Sequence, residues 1–305
     1  DLPPSSGVQQ IRDNLIDLEV KGADVSLDAD MYTSNSISWQ LGVRFGTFKT
    51  LVTKVANSRD FVTGLFVVKE GQPLGNFYAV TPVTSFKQTR ADKSTPYIDP
   101  NDVGNYELVN GIVVDKTTKR ALLTDPDDQQ TVGNAYPKFN ISFLNNVTIF
   151  KNLNIAIQVD WYQGNSIYNI TRQWLYRDRI HKDFDKEITV DGQTGAFVNF
   201  YNSLYNSVQR TGWFVENGSF VRLRDLTLTY QLGNLLHVKW MRNLALTVSG
   251  RNLVTFTKYS GLDPEATSAQ DSQGNKTFGA GSNVGVDYFA IPNLRSYQAG
   301  INVEF

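Results

Sequence analysis

The chain has 305 residues, of which 41% are hydrophobic and 12% aromatic, and its 29 basic and 30 acidic side chains leave a formal net charge of −1. This composition excludes a disordered protein, and the lack of a basic excess argues against nucleic acid as a partner. The chain has no Cys and two widely separated His, which excludes thiolate chemistry and a paired-His metal site. Its apolar runs are shorter than the about 20 residues that a membrane-spanning helix needs, so helical spans are also excluded.

Alternation of apolar and polar side chains is the dominant pattern along the chain. In residues 153–161, the odd positions are Leu, Ile, Ile, Val and Trp, whereas the even positions are Asn, Ala, Gln and Asp. Helical periodicity is weak, with short candidates near residues 171–179 and 196–205. The alternation predicts seven β-strands, which in chain order cover residues 18–31, 37–50, 137–149, 153–163, 219–232, 242–254 and 296–305.

The connections between these strands alternate between short and very long. Loops beyond about 15 residues are rare in compact soluble domains. A transmembrane β-barrel of the outer-membrane type, by contrast, has short turns on one side and long loops on the other. We therefore predict an all-β fold with an antiparallel transmembrane sheet, and a soluble β-sandwich is the competing interpretation. The short connections are residues 32–36, 150–152 and 233–241, and the long ones are residues 51–136, 164–218 and 255–295.

The strand count indicates part of a larger barrel. Seven is an odd number, whereas bacterial single-chain barrels close with an even one. The polar strand faces carry mainly Ser, Thr, Asn, Gln and Gly, which favours a wide, water-lined barrel with this chain in its wall. Aromatic residues fall near both predicted membrane interfaces, with Tyr32, Trp39, Tyr230, Trp240 and Phe305 toward the short turns, and Trp161, Tyr162 and Tyr297 toward the long loops.

Five blocks of sequence carry a more specific signal than the alternation. They are EGQPLGNFY at 70–78, GNAYPKF at 133–139, NGSFVRLRDLTL at 217–228, SGRNLVTFTKYSGLDPE at 249–265 and PNLRSYQAGINVEF at 292–305. In this order, the blocks resemble stretches of the SusC/RagA family of TonB-dependent outer-membrane transporters. Residues 172–213 match nothing in the family, and these loops vary with substrate.

The resemblance implies the C-terminal segment of an antiparallel transmembrane barrel of about 22 strands. We expect the plug domain and the N-terminal extension of such proteins to be absent from this chain. The implied function is TonB-dependent import of oligosaccharides or peptides across the bacterial outer membrane. The implied partners are a SusD-like lipoprotein lid, TonB acting through the missing N-terminal part, outer-membrane lipid and the assembly machinery. No enzymatic activity, cofactor or nucleic acid is expected; the alternative is a soluble all-β carbohydrate-binding or carbohydrate-processing domain.

The long connection 164–218 is richest in side chains that suit a polar, extended ligand. Aromatic rings stack on sugars or peptide side chains, and Arg offers planar bidentate hydrogen bonds. Aromatic residues of a long loop also commonly form the loop's own core or a partner interface, and both interpretations stay open here. The candidates for contact with a substrate or a lid protein are Trp174, Tyr176, Arg177, Arg179, Phe200, Tyr201 and Tyr205.

Three further groups are singled out by their sequence context. Gly71, Pro73, Gly75 and Tyr78, together with Tyr259, Asp263 and Pro264, are predicted to shape loops, with bracing as the default role. The alternating end of the chain resembles the family's outer-membrane assembly signal, carried by Tyr297, Ile301, Val303 and Phe305. The acidic group Asp125, Asp127 and Asp128 departs from calcium-loop spacing, so a solvated turn and no metal are predicted.

Overall fold

The computed structural model describes residues 14–56, 59–206, 210–232, 243–265 and 284–304. Its helices are α1 (Ile170–Arg177) and α2 (Val198–Leu204), which lie where the weak helical periodicity predicts them. Its strands are β1 (Ile16–Thr33), β2 (Ile37–Val55), β3 (Phe61–Thr63), β4 (Phe66–Val68), β5 (Asn76–Ala79), β6 (Tyr106–Val109), β7 (Ile112–Asp115), β8 (Gln130–Asn134), β9 (Phe139–Ile149), β10 (Leu153–Gln163), β11 (Ser166–Asn169), β12 (Ile188–Val190), β13 (Gln193–Gly195), β14 (Val215–Asn217), β15 (Phe220–Gln231), β16 (Asn243–Thr257), β17 (Val286–Asp287) and β18 (Ser296–Glu304).

Seven long strands form one sheet, which we call the wall. Its order is β1-β2-β9-β10-β15-β16-β18, and every neighbouring pair is antiparallel. The wall strands therefore follow one another in chain order, as in an up-and-down barrel. The prediction of an all-β fold is confirmed. No helix among the described residues is long and apolar enough to cross a bilayer.

The wall has one apolar and one polar face, because successive side chains in a strand point to opposite sides. On the apolar face, Phe139 lies between Phe45 and Trp161, with ring centroids 6.1 and 5.1 Å apart. Along the same face, Leu27 and Val248 are 61% and 57% exposed. Monomeric soluble proteins rarely expose a continuous apolar surface of this kind, so the face fits a lipid environment.

The predicted aromatic bands need one correction. Tyr162 follows Trp161 directly in β10, so it points to the polar face rather than to the apolar one. There its ring stacks on Phe220 with a centroid distance of 4.9 Å. Tyr162 is therefore part of the interior lining, and Trp240 and Phe305 lie outside the described residues.

The described parts of the three long connections fold into one unit above the wall, which we call the loop unit. Each contributes to a shared hydrophobic core, represented by Phe77, Tyr168 and Val286. Strands β11 and β17 pair in parallel, which joins the second connection to the third. Further small sheets are β3-β4-β5-β8, β6-β7 and β12-β13. The described parts of the connections thus have structure of their own, as expected for long functional loops.

Candidate functional site

The polar face of the wall contains an open groove of about 710 Å³. The Arg44 guanidinium donates to both carboxylate oxygens of Asp28, at 2.7 and 2.9 Å. A Cβ added at Gly42 would lie 2.9 Å from Asp28 Oδ1, so a glycine there leaves room for this pair. The other polar side chains of the groove are mainly amides and paired charges: Asp30, Gln40, Asn146, Asn154, Gln158, Asp225 and Arg251.

This groove is chemically suited to a neutral, hydrogen-bonding ligand. Amide side chains offer donors and acceptors together. Asn154 donates to Asn146 Oδ1 at 2.6 Å, and Gln40 donates to Asp30 Oδ1 at 2.9 Å. These hydrogen bonds fix the side chains that line the groove. The same side chains keep further donors and acceptors for a ligand in the groove.

At the loop end of the polar face, Arg222, Arg224, Asp160, Asp263 and Glu265 form a network that we call the arginine cluster. Arg222 is 2% exposed and donates to Asp263, to Glu265 Oε2 at 2.7 Å and to Thr255 Oγ1 at 2.9 Å. Arg224 donates to Asp160 Oδ2 at 2.7 Å and to Glu265 Oε1 at 2.8 Å. The cluster ties the residues that follow β16 to the wall.

A β-bulge at Arg224 lets Asp225 face the same side as the two arginines of the cluster. In the pairing of β15 with β10, Leu223 and Asp225 lie opposite the adjacent residues Val159 and Gln158, so Arg224 is the extra residue. Without the bulge, Arg222 and Asp225 would lie on opposite faces. Asn252, in the neighbouring strand β16, has a φ of 53° and accepts a hydrogen bond from Arg224 at 3.2 Å.

Asp263 joins two segments of the third connection. Its carboxylate accepts the backbone N–H of Glu265 and that of Asn293, both at 2.9 Å. Burial alone would raise the pKa of Asp263, but the hydrogen bonds from Arg222 and these N–H groups hold it below its usual value. The side chain thus carries a negative charge that compensates the buried guanidinium, and the adjacent Pro264 is buried.

The first two sequence blocks, 70–78 and 133–139, meet at a second junction. Gly75 has a φ of +85°, and its carbonyl accepts the N–H of Ala135 at 2.9 Å. A Cβ on Gly75 would lie 2.8 Å from the Tyr136 ring. Gly71 has a φ of +77° and donates its N–H to Val52 in β2 at 2.9 Å. The turn around Pro73, which is exposed, is therefore braced against both the wall and the later block.

A third network, centred on Arg172, lies inside the loop unit. Arg172 donates to Glu216 Oε1 at 3.2 Å and to Asp183 Oδ2 at 3.1 Å. The hydroxyl of Tyr176 donates to the same Asp183 oxygen at 2.6 Å and accepts from Trp213 Nε1 at 3.2 Å. Burial, followed by the hydrogen bond to Asp183, raises the pKa of Tyr176 above its usual range.

The structure separates the seven candidate contact residues of residues 164–218 into two groups. Tyr176, Phe200 and Tyr201 are buried in the shared core, where apolar burial, not ligand contact, accounts for their position. This corrects the contact hypothesis for these three and supports the loop-core alternative. The remaining four reach the surface wholly or in part: Trp174, Arg177, Arg179 and Tyr205.

Two of the surface candidates stack on one another. The Arg177 guanidinium carbon lies 3.9 Å from the Trp174 ring centroid, and Arg177 also pairs with Asp178 at 2.7 Å. Trp174 further meets Tyr288 and Phe289 edge to face, at 5.5 and 5.7 Å. Contact of these residues with a substrate or a lid protein stays a prediction.

The other singled-out residues occupy varied positions. Tyr78 is half-buried on β5, and the hydroxyl of the buried Tyr259 donates to Asp287 Oδ2 at 2.5 Å. Tyr297 and Ile301 are exposed on one face of β18, together with the less exposed Val303. The assembly role of this strand stays a prediction.

The acidic turn is bound to protein rather than to solvent alone. Asp125 pairs with Arg90, and Asp128 accepts the Tyr97 hydroxyl and the Ala91 N–H. Within the described part of the chain, no group of three His, Cys, Asp or Glu is placed to hold a metal ion.

Sequence reasoning missed the arginine cluster and the Arg172 network. In the first case a signal is present: two Arg two positions apart in an alternating strand place two charges on the same face. Arg222 and Arg224 could therefore have been assigned to the polar face. The Arg172 network joins residues that are far apart in sequence; Glu216, for example, is 44 positions from Arg172. No local sequence pattern predicts such a network.

Comparison with known proteins identifies relatives over the whole chain. The TonB-dependent receptor P3 of Formosa agariphila is 26% identical over 315 residues, covering 100% of this chain and 30% of the relative. The TonB-dependent receptor SusC of Bacteroides thetaiotaomicron is 22% identical over 317 residues, covering 97% of this chain and 27% of the relative. The chain thus spans about a third of the length of these relatives and corresponds to a C-terminal portion of them. No protein-family model matches the chain.

Solved structures show the same fold. The RagAB peptide transporter matches with a TM-score of 0.66 at 19% identity, covering 100% of this chain and 31% of that one. The RagAB peptide importer in its open-open state matches with a TM-score of 0.67 at 20% identity, covering 100% and 30%. The prediction of a C-terminal segment of such a barrel is confirmed.

Proposed function

We propose that this chain, which corresponds to a C-terminal portion of TonB-dependent receptors of the bacterial outer membrane, forms part of the wall and outer loops of an active importer. The observation that carries the proposal is the two-faced wall. One face is apolar and exposed, and the opposite face carries a groove of paired charges and amides. Such a wall separates lipid from an aqueous passage.

The role assigned to the chain is conduction and support rather than chemistry. The relatives are named as receptors and transporters, not as enzymes. The arginine cluster holds residues 259–265 and Asn293 against the polar face, and the junction at Gly75 fixes the first connection. The long connections can therefore present a shaped outer surface to arriving substrate.

The cargo and partners follow as part of the same proposal. An oligosaccharide or a peptide suits a groove lined by amides and internally paired charges, because such ligands exchange neutral hydrogen bonds. A SusD-like surface lipoprotein would close over the loop unit, and TonB would supply energy through parts of the protein outside this chain. The apolar wall face, which suits lipid, disfavours the alternative of a soluble carbohydrate-binding domain.

Uptake measurements in the source bacterium test this proposal. Deletion of the gene should abolish growth on one class of oligosaccharide or peptide, and deletion of TonB should abolish uptake of the same compound. A matched strain carrying Arg222→Met should show reduced uptake, whereas Lys54→Met, a change at an exposed position of β2, should leave it unchanged. Normal uptake of every such compound by the deletion strain would overturn the proposal.

A further inference from the structure

A second cavity, of about 370 Å³, lies in the loop unit on the sheet β3-β4-β5-β8. Its volume is at the lower end of the range of about 300 to 1,000 Å³ for small-ligand sites. It is separate from the wall groove and shares no residue with it. The cavity is lined by Asp60, Phe61, Val62, Val67, Lys69, Gln72, Tyr78, Gln129 and Thr131.

The sheet that carries this cavity is anchored on its other side. Phe66 and Phe77 stack with centroids 4.9 Å apart, and Phe77 is fully buried in the shared core. On the cavity side, Val62 pairs with Val67 across β3 and β4, and Tyr78 pairs with Thr131 across β5 and β8. The lining is therefore held by paired strands.

The cavity wall contributed by Gln72 is fixed as well. The Gln72 carbonyl accepts the N–H of Val52 in β2 at 3.0 Å, and its side-chain oxygen accepts from Asn76 Nδ2 at 3.2 Å. Gly71, next to it, is bonded to the same wall strand. The block at 70–78 thus places Gln72 and Tyr78 on two sides of one cavity.

The chemistry of the lining favours an uncharged ligand. The two charged side chains pair with each other, Lys69 Nζ lying 3.3 Å from Asp60 Oδ2. The charged groups of the lining therefore sum to zero, and the lining offers no uncompensated charge to an anionic or cationic ligand. The other polar groups are amides and hydroxyls, which donate and accept hydrogen bonds, and Tyr78 supplies aromatic surface.

These observations distinguish a sugar from a peptide. A neutral pyranose ring has an apolar C–H face for the aromatic side and hydroxyls at its edge for the amides. A peptide commonly binds by adding a strand to a sheet edge, whereas this cavity lies on the face of a sheet. We propose that the cavity is a binding site for one neutral sugar residue, a site outside the barrel passage.

Ligand binding to the complete membrane protein in detergent tests this site without any requirement for TonB. The probes are the methyl glycosides of glucose, galactose and mannose, with glucuronate and a neutral tetrapeptide for comparison, measured by saturation-transfer NMR. We expect at least one methyl glycoside to bind. Tyr78→Ala should then weaken that binding about tenfold, as expected for loss of an aromatic contact. Tyr32→Ala changes an exposed residue at the end of β1 that lies away from the loop unit, and it should leave glycoside binding unchanged.

Thr131→Val provides a second variant, because it removes one hydroxyl at an exposed position and keeps the side-chain shape. We expect it to weaken the glycoside affinity by a smaller factor. The proposal is overturned if no methyl glycoside binds with a Kd below about 10 mM, if both cavity variants bind like the unchanged protein, or if the tetrapeptide binds in the cavity instead. A negative binding result would not contradict the proposal of TonB-dependent import. A negative uptake result would not contradict sugar binding in this cavity.

Discussion

Removal of the Arg222 side chain should release the third connection from the wall. Arg222→Met leaves Asp263, which is 5% exposed, without its cationic partner. Breaking a buried ion pair by removing one partner costs about 3 to 5 kcal/mol. Asp263 keeps two backbone N–H donors, and Glu265 keeps Arg224, so we expect the lower end, about 3 kcal/mol.

Hydrogen exchange measures this loss locally, which matters because the stability of a whole barrel would mask it. The N–H groups of Glu265 and Asn293 both donate to Asp263, so their exchange reports on the cluster. A loss of about 3 kcal/mol corresponds to exchange faster by roughly a hundredfold. We expect this change in peptides covering residues 259–265 and 291–295, and little change in β9 or β10.

Arg251→Met is the matched control. Arg251 also lies on the polar face, but it is 63% exposed and its nearest contact to Asp225 is 3.8 Å. Exposed pairs contribute at most about 1 kcal/mol, so exchange near Asp263 should hardly change. Equal effects of the two variants, or no effect of Arg222→Met, would refute the view that the cluster fastens this connection.

Three further predictions concern single groups. The pKa of Asp263 is lowered in the folded state, so its carboxylate stabilises the fold above the unfolded pKa of about 3.9. This stabilisation is lost as the pH falls through the lower folded pKa. Limited proteolysis should therefore show the third connection attached to the wall at neutral pH and released only under strong acid. Gly75→Ala should lower the melting temperature more than Gly71→Ala. Both alanines would be held in a left-handed backbone at a cost of about 1 to 2 kcal/mol, but only the Cβ at position 75 would also meet an aromatic ring. Equal shifts in melting temperature would contradict this contact between position 75 and the ring. Tyr176→Phe should destabilise the loop unit by about 1 to 3 kcal/mol by removing a buried donor to Asp183, and unchanged protease resistance of residues 164–218 would count against this.

The fold of the wall was largely predictable from the sequence because alternation is a local signal. Each wall strand carries its own apolar and polar faces, so strands such as β10 and β15 are visible without knowledge of their neighbours. The bulge at Arg224 was not predictable in this way. It depends on the register with β10, and register is a property of a pair of strands.

The loop unit was less accessible to sequence reasoning, because burial there is decided by contacts between distant segments. The aromatic side chains of residues 164–218 suit both a ligand surface and a core. Tyr176 is buried by Phe184 and Phe214, and Phe77 comes from a different connection to the same core. No local period distinguishes such a residue from Trp174, which is partly exposed. The glycines were more informative, since Gly71 and Gly75 occur in a turn-forming block and do adopt positive φ.

The central claim is that the polar face of the wall meets water while the apolar face meets lipid. Thr227 and Leu228 are neighbours in β15 that point to opposite faces, and this chain contributes no Cys of its own to compete for a label. Spin labels at Thr227→Cys and Leu228→Cys, studied in outer-membrane vesicles, would report collision with a water-soluble nickel complex and with oxygen dissolved in the bilayer. The account predicts that the label at position 227 is relaxed mainly by nickel and the label at position 228 mainly by oxygen. Equal or reversed accessibility at the two positions would contradict it.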